Sequence, residues 1–235
     1  MRVLIFSDLH ANWEALLAMQ TAERKPEAIL FLGDAVDFGP DPKACLSWLR
    51  RSVIHAVRGN HDNALVTGMD CLCVEEYRDL ALATRQYTAR ILGPEEISYL
   101  GEWPLETYVE LGGARFYLTH AAPSDHLFKY FNVATAREEK LREEMAGIEA
   151  DLIFLGHTHI PAIRKVKDTY LVNPGSLGQP RHGTPSGTYA LWEDGELAIR
   201  HVDYNWAETQ RKLALLPLES GMIERLQDIL ERGGS

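Results

Sequence analysis

Three short apolar runs in this chain stop abruptly at carboxylate or histidine side chains, and this repetition narrows the possible folds more than any other feature. "RVLIFSDLH" runs into Asp8 and His10, "FLGDAVDFGP" breaks at Gly33 to place Asp34, and "LIFLGHTH" ends in His157 and His159. Apolar runs of about four to eight residues read as buried strands. Ionisable groups directly after them sit at strand carboxyl ends, where α/β sheets gather their ligands.

Between the runs lie helical patterns, the alternation of an α/β chain. Strands are expected at Val3–Phe6, Ile29–Leu32, Val53–Val57, Leu152–Leu155 and Tyr170–Val172. A helix spans about Asn12 to Ala22, with Trp13, Leu16, Leu17 and Gln20 on one face. A second follows Asp41, which stands at the N-cap with Pro42 at the first helical position. A long helix covers about Glu75 to Leu92, and Gly93-Pro94 stops it and starts another. Hairpins are expected around Gly112-Gly113 and Asp194-Gly195. A charged helix is expected over Ala134–Glu149, and a terminal one carries Met222, Ile223, Leu226, Ile229 and Leu230 to its stop at Gly233. Early crossovers followed by hairpins imply mixed sheets, in a single domain over residues 1–235.

The net charge of −10 disfavours a surface built for long nucleic acid, which needs basic patches. No run of about 18 apolar residues is present, so no membrane partner is expected and the chain reads as cytoplasmic. Cys45, Cys71 and Cys73 are odd in number, and "CLC" lacks zinc-knuckle spacing, so reduced structural thiols are expected.

Asp8 and His10 are two apart, as are His157 and His159, so extended backbone would project each pair to one side. The strand at Val53–Val57 runs into "RGNHD", and the run at Arg115–Thr119 delivers His120. Aspartate, asparagine and histidine are oxygen and nitrogen donors suited to first-row metals. Asp8, His10, Asp34, Asn60, His120, His157 and His159 are more donors than one ion takes. Two ions about 3.5–4 Å apart that share a carboxylate would use them all. Taken singly, each motif reads as readily as a turn, a cap or a packed histidine; five of them in succession after apolar runs do not.

"DLH", "GDAVD", "RGNHD", "LTHAAP", "GHTH" and "NPGS" together resemble the calcineurin-like metallophosphoesterase superfamily, over Met1 to about Tyr204. "NPGSLGQPR" is similar to its compact prokaryotic branch, while the "HGTPSG" that follows departs from the family pattern. The resemblance implies a four-layer α-β-β-α sandwich with mixed sheets and small helical cap segments, here at about 64–103 and 121–147. It implies that Asp8, His10 and His159 hold one metal, that Asn60, His120 and His157 hold another, and that Asp34 bridges them. Manganese is expected first, with iron, zinc, nickel or cobalt as alternatives.

By the same resemblance His61 is the general acid, oriented by Asp62, and Arg58 contacts a phosphate oxygen. Asn173, Gly175, Ser176 and Arg181 line the substrate. The implied reaction is hydrolysis of phosphodiesters, and secondarily monoesters, by a metal-bridging hydroxide. Small or nucleotide-like phosphoesters are the expected substrates, with protein phosphatase and dinucleoside-polyphosphate hydrolase as alternatives. A homo-oligomer is compatible with the sequence. A non-catalytic scaffold of the same fold is the rival from another class, and the presence of His61 argues against it.

Overall fold

Alternation along the first strand sets the layering. In β1 (Arg2–Phe6), Val3 and Ile5 point one way, into a core shared with Leu118, Phe154, Val172 and Trp192. Leu4 and Phe6 point the other way, against Leu16, Met19, Trp48 and Leu49. A strand apolar on both faces must be covered on both. The computed structural model, which describes residues 1–23 and 25–234, supplies a second sheet on one face and helices on the other.

The first sheet joins β1 in parallel to β2 (Ala28–Phe31), and β2 to β3 (His55–Ala56). On its other side β1 pairs antiparallel with β9 (Ser186–Glu193), which forms a hairpin with β10 (Glu196–Asp203). The strand order is β10-β9-β1-β2-β3. The second sheet has the order β4-β5-β6-β8-β7, from β4 (Glu106–Leu111), β5 (Ala114–Thr119), β6 (Leu152–Phe154), β7 (Ala162–Val166) and β8 (Thr169–Asn173). β5, β6 and β8 run parallel, with antiparallel strands at both edges.

Helices α1 (Trp13–Ala22) and α2 (Pro42–Ser52) cover the first sheet. The outer face of the second sheet, Tyr117, Ile153 and Leu171, packs on Phe131, Val133 and Leu141, the last from α6 (Glu138–Glu144). The result is helix, sheet, sheet, helix, as expected. A further cluster joins α4 (Glu75–Ile91), α7 (Trp206–Leu213) and α8 (Ser220–Arg232) to Phe38 and Ala64, beside the loop that follows β2. Among the described residues no helix is long and apolar enough to cross a membrane.

Several local expectations change. The buried face of α1 is Ala15, Leu16 and Met19, while Leu17 is exposed, because the helix packs as its Asn12 cap orients it. The strand expected at Val53–Val57 keeps a two-residue ladder at the sheet edge, though Ile54 and Val57 still donate to Ile29 and Phe31. The charged helix shrinks to α6. Asn132 turns its side chain onto the N–H groups of Ala134 and Thr135, an alternative to the helix ladder, and left-handed Gly147 lies beyond its other end. Three elements were not expected: β7, α7 and α3 (Asn60–Thr67). For α3, Gly59 at the N-cap, Asp62 at the third helical position and left-handed Gly68 at the end are the signals.

α5 (Pro94–Glu102) follows Gly93 and packs on α3, and Gly33 shows how tightly the loops at this end are pressed together. Its φ is +91°, and an added Cβ would fall 2.4 Å from Gly59 N and 2.8 Å from Gly59 Cα. Gly113 has a similar φ of +81° with nothing within 4 Å, so it isolates the conformational cost of about 1–2 kcal/mol. Gly33→Ala should therefore lower stability by about 1–3 kcal/mol more than Gly113→Ala. Urea unfolding of both variants checks this, and equal losses would show that the Gly59 loop simply moves aside.

Candidate metal centre

The donor side chains do not sit on extended backbone. Asp8, His10, Asp34, His157 and His159 all lie past their strand ends with φ between 46° and 66°, the left-handed region. Each such residue costs about 1–3 kcal/mol, so the surroundings must hold it there. They do so by cross-loop hydrogen bonds: Asp8 N donates to Gly33 O (3.0 Å), His10 N to Asp34 O (3.0 Å), Gly178 N to Asp8 O (3.1 Å) and Gly156 N to His120 O (2.7 Å). Gly156 has no room for a side chain, since a Cβ would stand 2.0 Å from Ser7 Oγ and 2.7 Å from Asp8 Oδ2. The expected same-side projection of Asp8 and His10 from extended chain is thus replaced by coiled loops that reach the same convergence.

Two buried donor groups result. Asp8, His10 and His159 form one, and Asp34, His120 and His157 the other, each with its ligand atoms within 4.8 Å of one another. Asn60 joins the second, its Oδ1 lying 3.0 Å from His120 Nε2 and 3.1 Å from His157 Nδ1. Its amide is fixed because Nδ2 donates to Cys71 O at 2.8 Å. Asp34 stands between the groups, with Oδ2 3.8 Å from His10 Nε2 and 3.3 Å from His120 Nε2.

Ring tautomers follow from the other nitrogens. His10 Nδ1 faces Val36 O (2.9 Å), His159 Nδ1 faces Gln179 O (2.6 Å) and His120 Nδ1 faces Leu32 O (2.7 Å). A carbonyl can only accept, so each Nδ1 donates and a neutral ring leaves Nε2 bare. Burial holds His10 well below the usual histidine range, and burial together with Arg181 lowers His159. Their two Nε2 atoms nevertheless face each other at 3.4 Å. Asp8 Oδ1, buried without a hydrogen-bond donor, is 3.2 Å from His159 Nε2. His157 Nε2 is buried and unpartnered as well. Converging lone pairs of this kind repel unless a cation lies among them. The donors fit divalent first-row metals by type, and their backbone hydrogen bonds are those that orient histidine ligands.

His61 sits beside the first group, its ring 5.2 Å from that of His10. Its partner is not Asp62, as expected, but Asp37, whose Oδ2 is 2.9 Å from His61 Nδ1 and 3.2 Å from Arg85 Nε. Asp62 instead accepts from Asp34 N (2.8 Å), Ala35 N (2.9 Å) and Gly59 N (3.0 Å), tying two donor loops together. Burial alone would depress His61, but the charges of Asp34 and Asp37 override it and lift it to about 9. Asp37 lies in the quoted "GDAVD", and its distance of three residues from Asp34 is the only sequence signal for it.

The expected substrate residues divide. Arg181 reaches the site: its charge acts on His159, and its guanidinium stacks 4.3 Å from the Tyr77 ring centre while donating to Gln179. Arg58 is turned toward α5, with Nη1 3.4 Å from Gly101 O. Asn173, Gly175 and Ser176 are buried braces rather than a lining. Asn173 Nδ2 donates to Gly156 O (2.7 Å), and Ser176 Oγ donates to Asp8 O (2.8 Å). Gly175 is pressed on Thr188, where a Cβ would meet Oγ1 at 2.1 Å. Tyr130, not anticipated, covers His157 with ring centres 4.1 Å apart. His55, His126, His182 and His201 belong to neither donor group.

Two donor groups joined by one carboxylate, at the strand ends of a four-layer sandwich, define a metal-binding α/β protein. Its lineage is equally clear. A family model described as the calcineurin-like phosphoesterase superfamily domain matches residues 1–194, and the chain belongs to that metal-dependent superfamily. An uncharacterized protein of Methanocaldococcus jannaschii is 26% identical, covering 95% of this chain and 96% of its own. The crystal structure of a metallophosphoesterase from Sphaerobacter thermophilus superposes with a TM-score of 0.80 at 27% identity, covering 96% of this chain and 98% of that one. A hypothetical protein from Pyrococcus horikoshii shares the fold, with a TM-score of 0.83 at 21% identity over 100% of this chain and 99% of that one.

The Asp37 contact has a titration consequence in the metal-free protein. The folded value of His61 lies above the ordinary 6.5, so its stabilising contribution is complete below that pH and fades as pH rises through about 9. Asp37→Asn removes one of the two charges responsible. The His61 ring should then titrate lower by NMR, and the variant should lose less stability than the parent over this range. An unmoved His61 titration would show that Asp34 alone holds the proton.

Proposed function

We propose that this protein hydrolyses phosphoesters at two divalent transition-metal ions, with small or nucleotide-like phosphodiesters ahead of monoesters. The observation that carries the reading is the pair of buried donor groups, the first with opposed lone pairs, set beside a histidine that holds its proton against burial. Asp8, His10 and His159 would hold one ion, Asn60, His120 and His157 the other, and Asp34 Oδ2 would serve both. Bound there, two divalent cations would offset phosphoryl charge and lower the pKa of water from about 15.7 toward about 7.

The chain's own residues supply the rest. A departing alkoxide needs a proton, and His61 is the group that has one. Its Nδ1 proton donates to Asp37, which leaves Nε2 as the nitrogen free to serve the leaving oxygen. Arg85 Nε donates to the same Asp37 oxygen and so keeps the imidazole in one orientation. Arg181 presents a cation beside His159 that suits one more anionic oxygen. Long nucleic acid is disfavoured by the net charge of −10.

Asp34→Asn should weaken both metals together, because one carboxylate charge serves two cations. Elemental analysis after reconstitution with manganese should find both occupancies reduced; loss of one ion alone would contradict a shared ligand. His61 separates an enzyme from a scaffold. His61→Ala should keep both metals and slow esters with poor leaving groups by roughly 10²–10⁴-fold. Esters of p-nitrophenol, which depart without a proton, should lose far less. Equal losses for both substrate types on the metal-replete variant would rule out the general-acid role.

A further inference from the structure

The short stretch between α3 and α4 holds two thiols that the hydrolytic reading does not use. Cys71 Sγ and Cys73 Sγ are 2.9 Å apart, inside ordinary van der Waals contact. Leu72 between them is left-handed at φ 50°, a strained state for a branched side chain, and this bend sets both sulfurs on one side. Leu72 itself is exposed, as are Met69, Asp70 and Val74, so one thickness of chain separates the buried sulfurs from solvent. On the inner side they meet His61, with the donor atoms of all three residues within 4.8 Å of one another.

Such a group has two chemical uses, chelation of a soft metal or formation of a disulfide. The charges decide between them. The Arg85 guanidinium, held on Asp37, sets its positive charge beside Cys71, and the Arg181 charge reaches Cys73. A third cation would enter against two guanidinium groups, and the sulfurs leave no space between them for it. The same positive surroundings favour a nucleophilic sulfur.

We propose that Cys71 and Cys73 form a reversible oxidation site for a small hydroperoxide, and that closing their disulfide weakens the second donor group through Asn60. In the first step Cys71 sulfur attacks a peroxide oxygen and the O–O bond breaks. With hydrogen peroxide, hydroxide leaves and is protonated to water, and Cys71 becomes a sulfenic acid. Cys73 sulfur then attacks Cys71 sulfur, the S–O bond breaks and a second water departs. Two thiols and one peroxide become one disulfide and two waters, with two electrons passed to the oxidant.

The link to the metal centre is the backbone of Cys71. Its carbonyl accepts the Asn60 amide at 2.8 Å and so aims Asn60 Oδ1 at His120 and His157. Bringing the sulfurs to bonding distance, about 2.05 Å, draws the chain around Leu72 together and shifts that carbonyl. This consequence rests on the reading of Asn60 as a ligand, whereas the thiol chemistry does not.

The experiment treats the full, manganese-loaded protein with hydrogen peroxide, then alkylates free thiols and maps them by peptide mass. The peptide with Cys71 and Cys73 should lose two hydrogens and resist alkylation until dithiothreitol is added, while Cys45, buried in the core, stays modifiable after unfolding. Cys73→Ser should instead stop at a sulfenic acid on Cys71 that dimedone captures. Manganese affinity at the weaker site should fall roughly 10–100-fold on oxidation and return on reduction. Both thiols remaining free, or pairing between chains, would overturn the site. A disulfide that leaves manganese affinity unchanged would overturn its coupling to Asn60. Failure of the reduced protein to bind manganese at all would count against the hydrolytic reading and leave the thiol map intact.

Discussion

His10 Nε2 and His159 Nε2 face each other across 3.4 Å, and neither has a proton to offer because each ring has given its own to a backbone carbonyl. Nothing in the chain relieves this contact. A lone pair pointed at a lone pair in a buried site costs far more than either does in water, where each would find a donor. The same holds for Asp8 Oδ1 against His159 Nε2. The fold therefore carries a built-in deficit that positive charge offsets. Stability and metal content are one quantity in such a protein, since an ion that binds only the folded state stabilises it by mass action.

Holding these donors in place needs left-handed backbone at five of them, and the sequence around them serves that purpose. The loop after β1 is clasped from both sides. Gly33 O and Asp34 O accept its amides, while Leu177 N and Gly178 N donate to Ser7 O and Asp8 O. Ser176 adds its hydroxyl to Asp8 O, and Asn173 pins the loop that carries His157 through Gly156 O. The "NPGS" stretch is thus built into the site from behind. A chain in which these braces failed would relax into ordinary extended strand ends, and the donors would fan outward.

Strand ends and donor types were legible because both depend on local pattern. Apolar runs of the right length stop where polar donors begin, and that is visible in "LIFLGHTH" without any structure. The seven candidate ligands are brought together in space, although by coiled loops rather than by the two-residue period of a strand. What was not legible is what each second-row residue touches. Asp62 follows His61 directly while Asp37 lies in a separate motif, and the resemblance assigns the orienting role to the neighbour. The helix that starts at Asn60 turns Asp62 back onto amides of the preceding loop, so the more distant Asp37 takes the ring. Asn173, Gly175 and Ser176 were misread for a related reason, because a motif next to a site carries no sign of whether it faces substrate or backbone. The short α6 shows a further limit: Asn132 offers its own side chain to the amides that a helix would have used.

Asp37 explains how one histidine can differ from four others packed within the same few ångströms. His10, His157 and His159 are pushed toward the neutral state, as ligands require. His120 stands higher mainly against the bare charge of Asp34, with Asp8 adding to it, and a bound cation would offset both. His61 alone has a carboxylate from outside both donor groups, Asp37, which Arg85 holds in place. A metal bound at Asp34 would remove part of the support for the His61 proton, but the Asp37 share lies on the far nitrogen and survives. The site can thereby keep neutral imidazoles for metal and one imidazolium for proton transfer. Separate partners for the two tasks are what permit both in so small a volume.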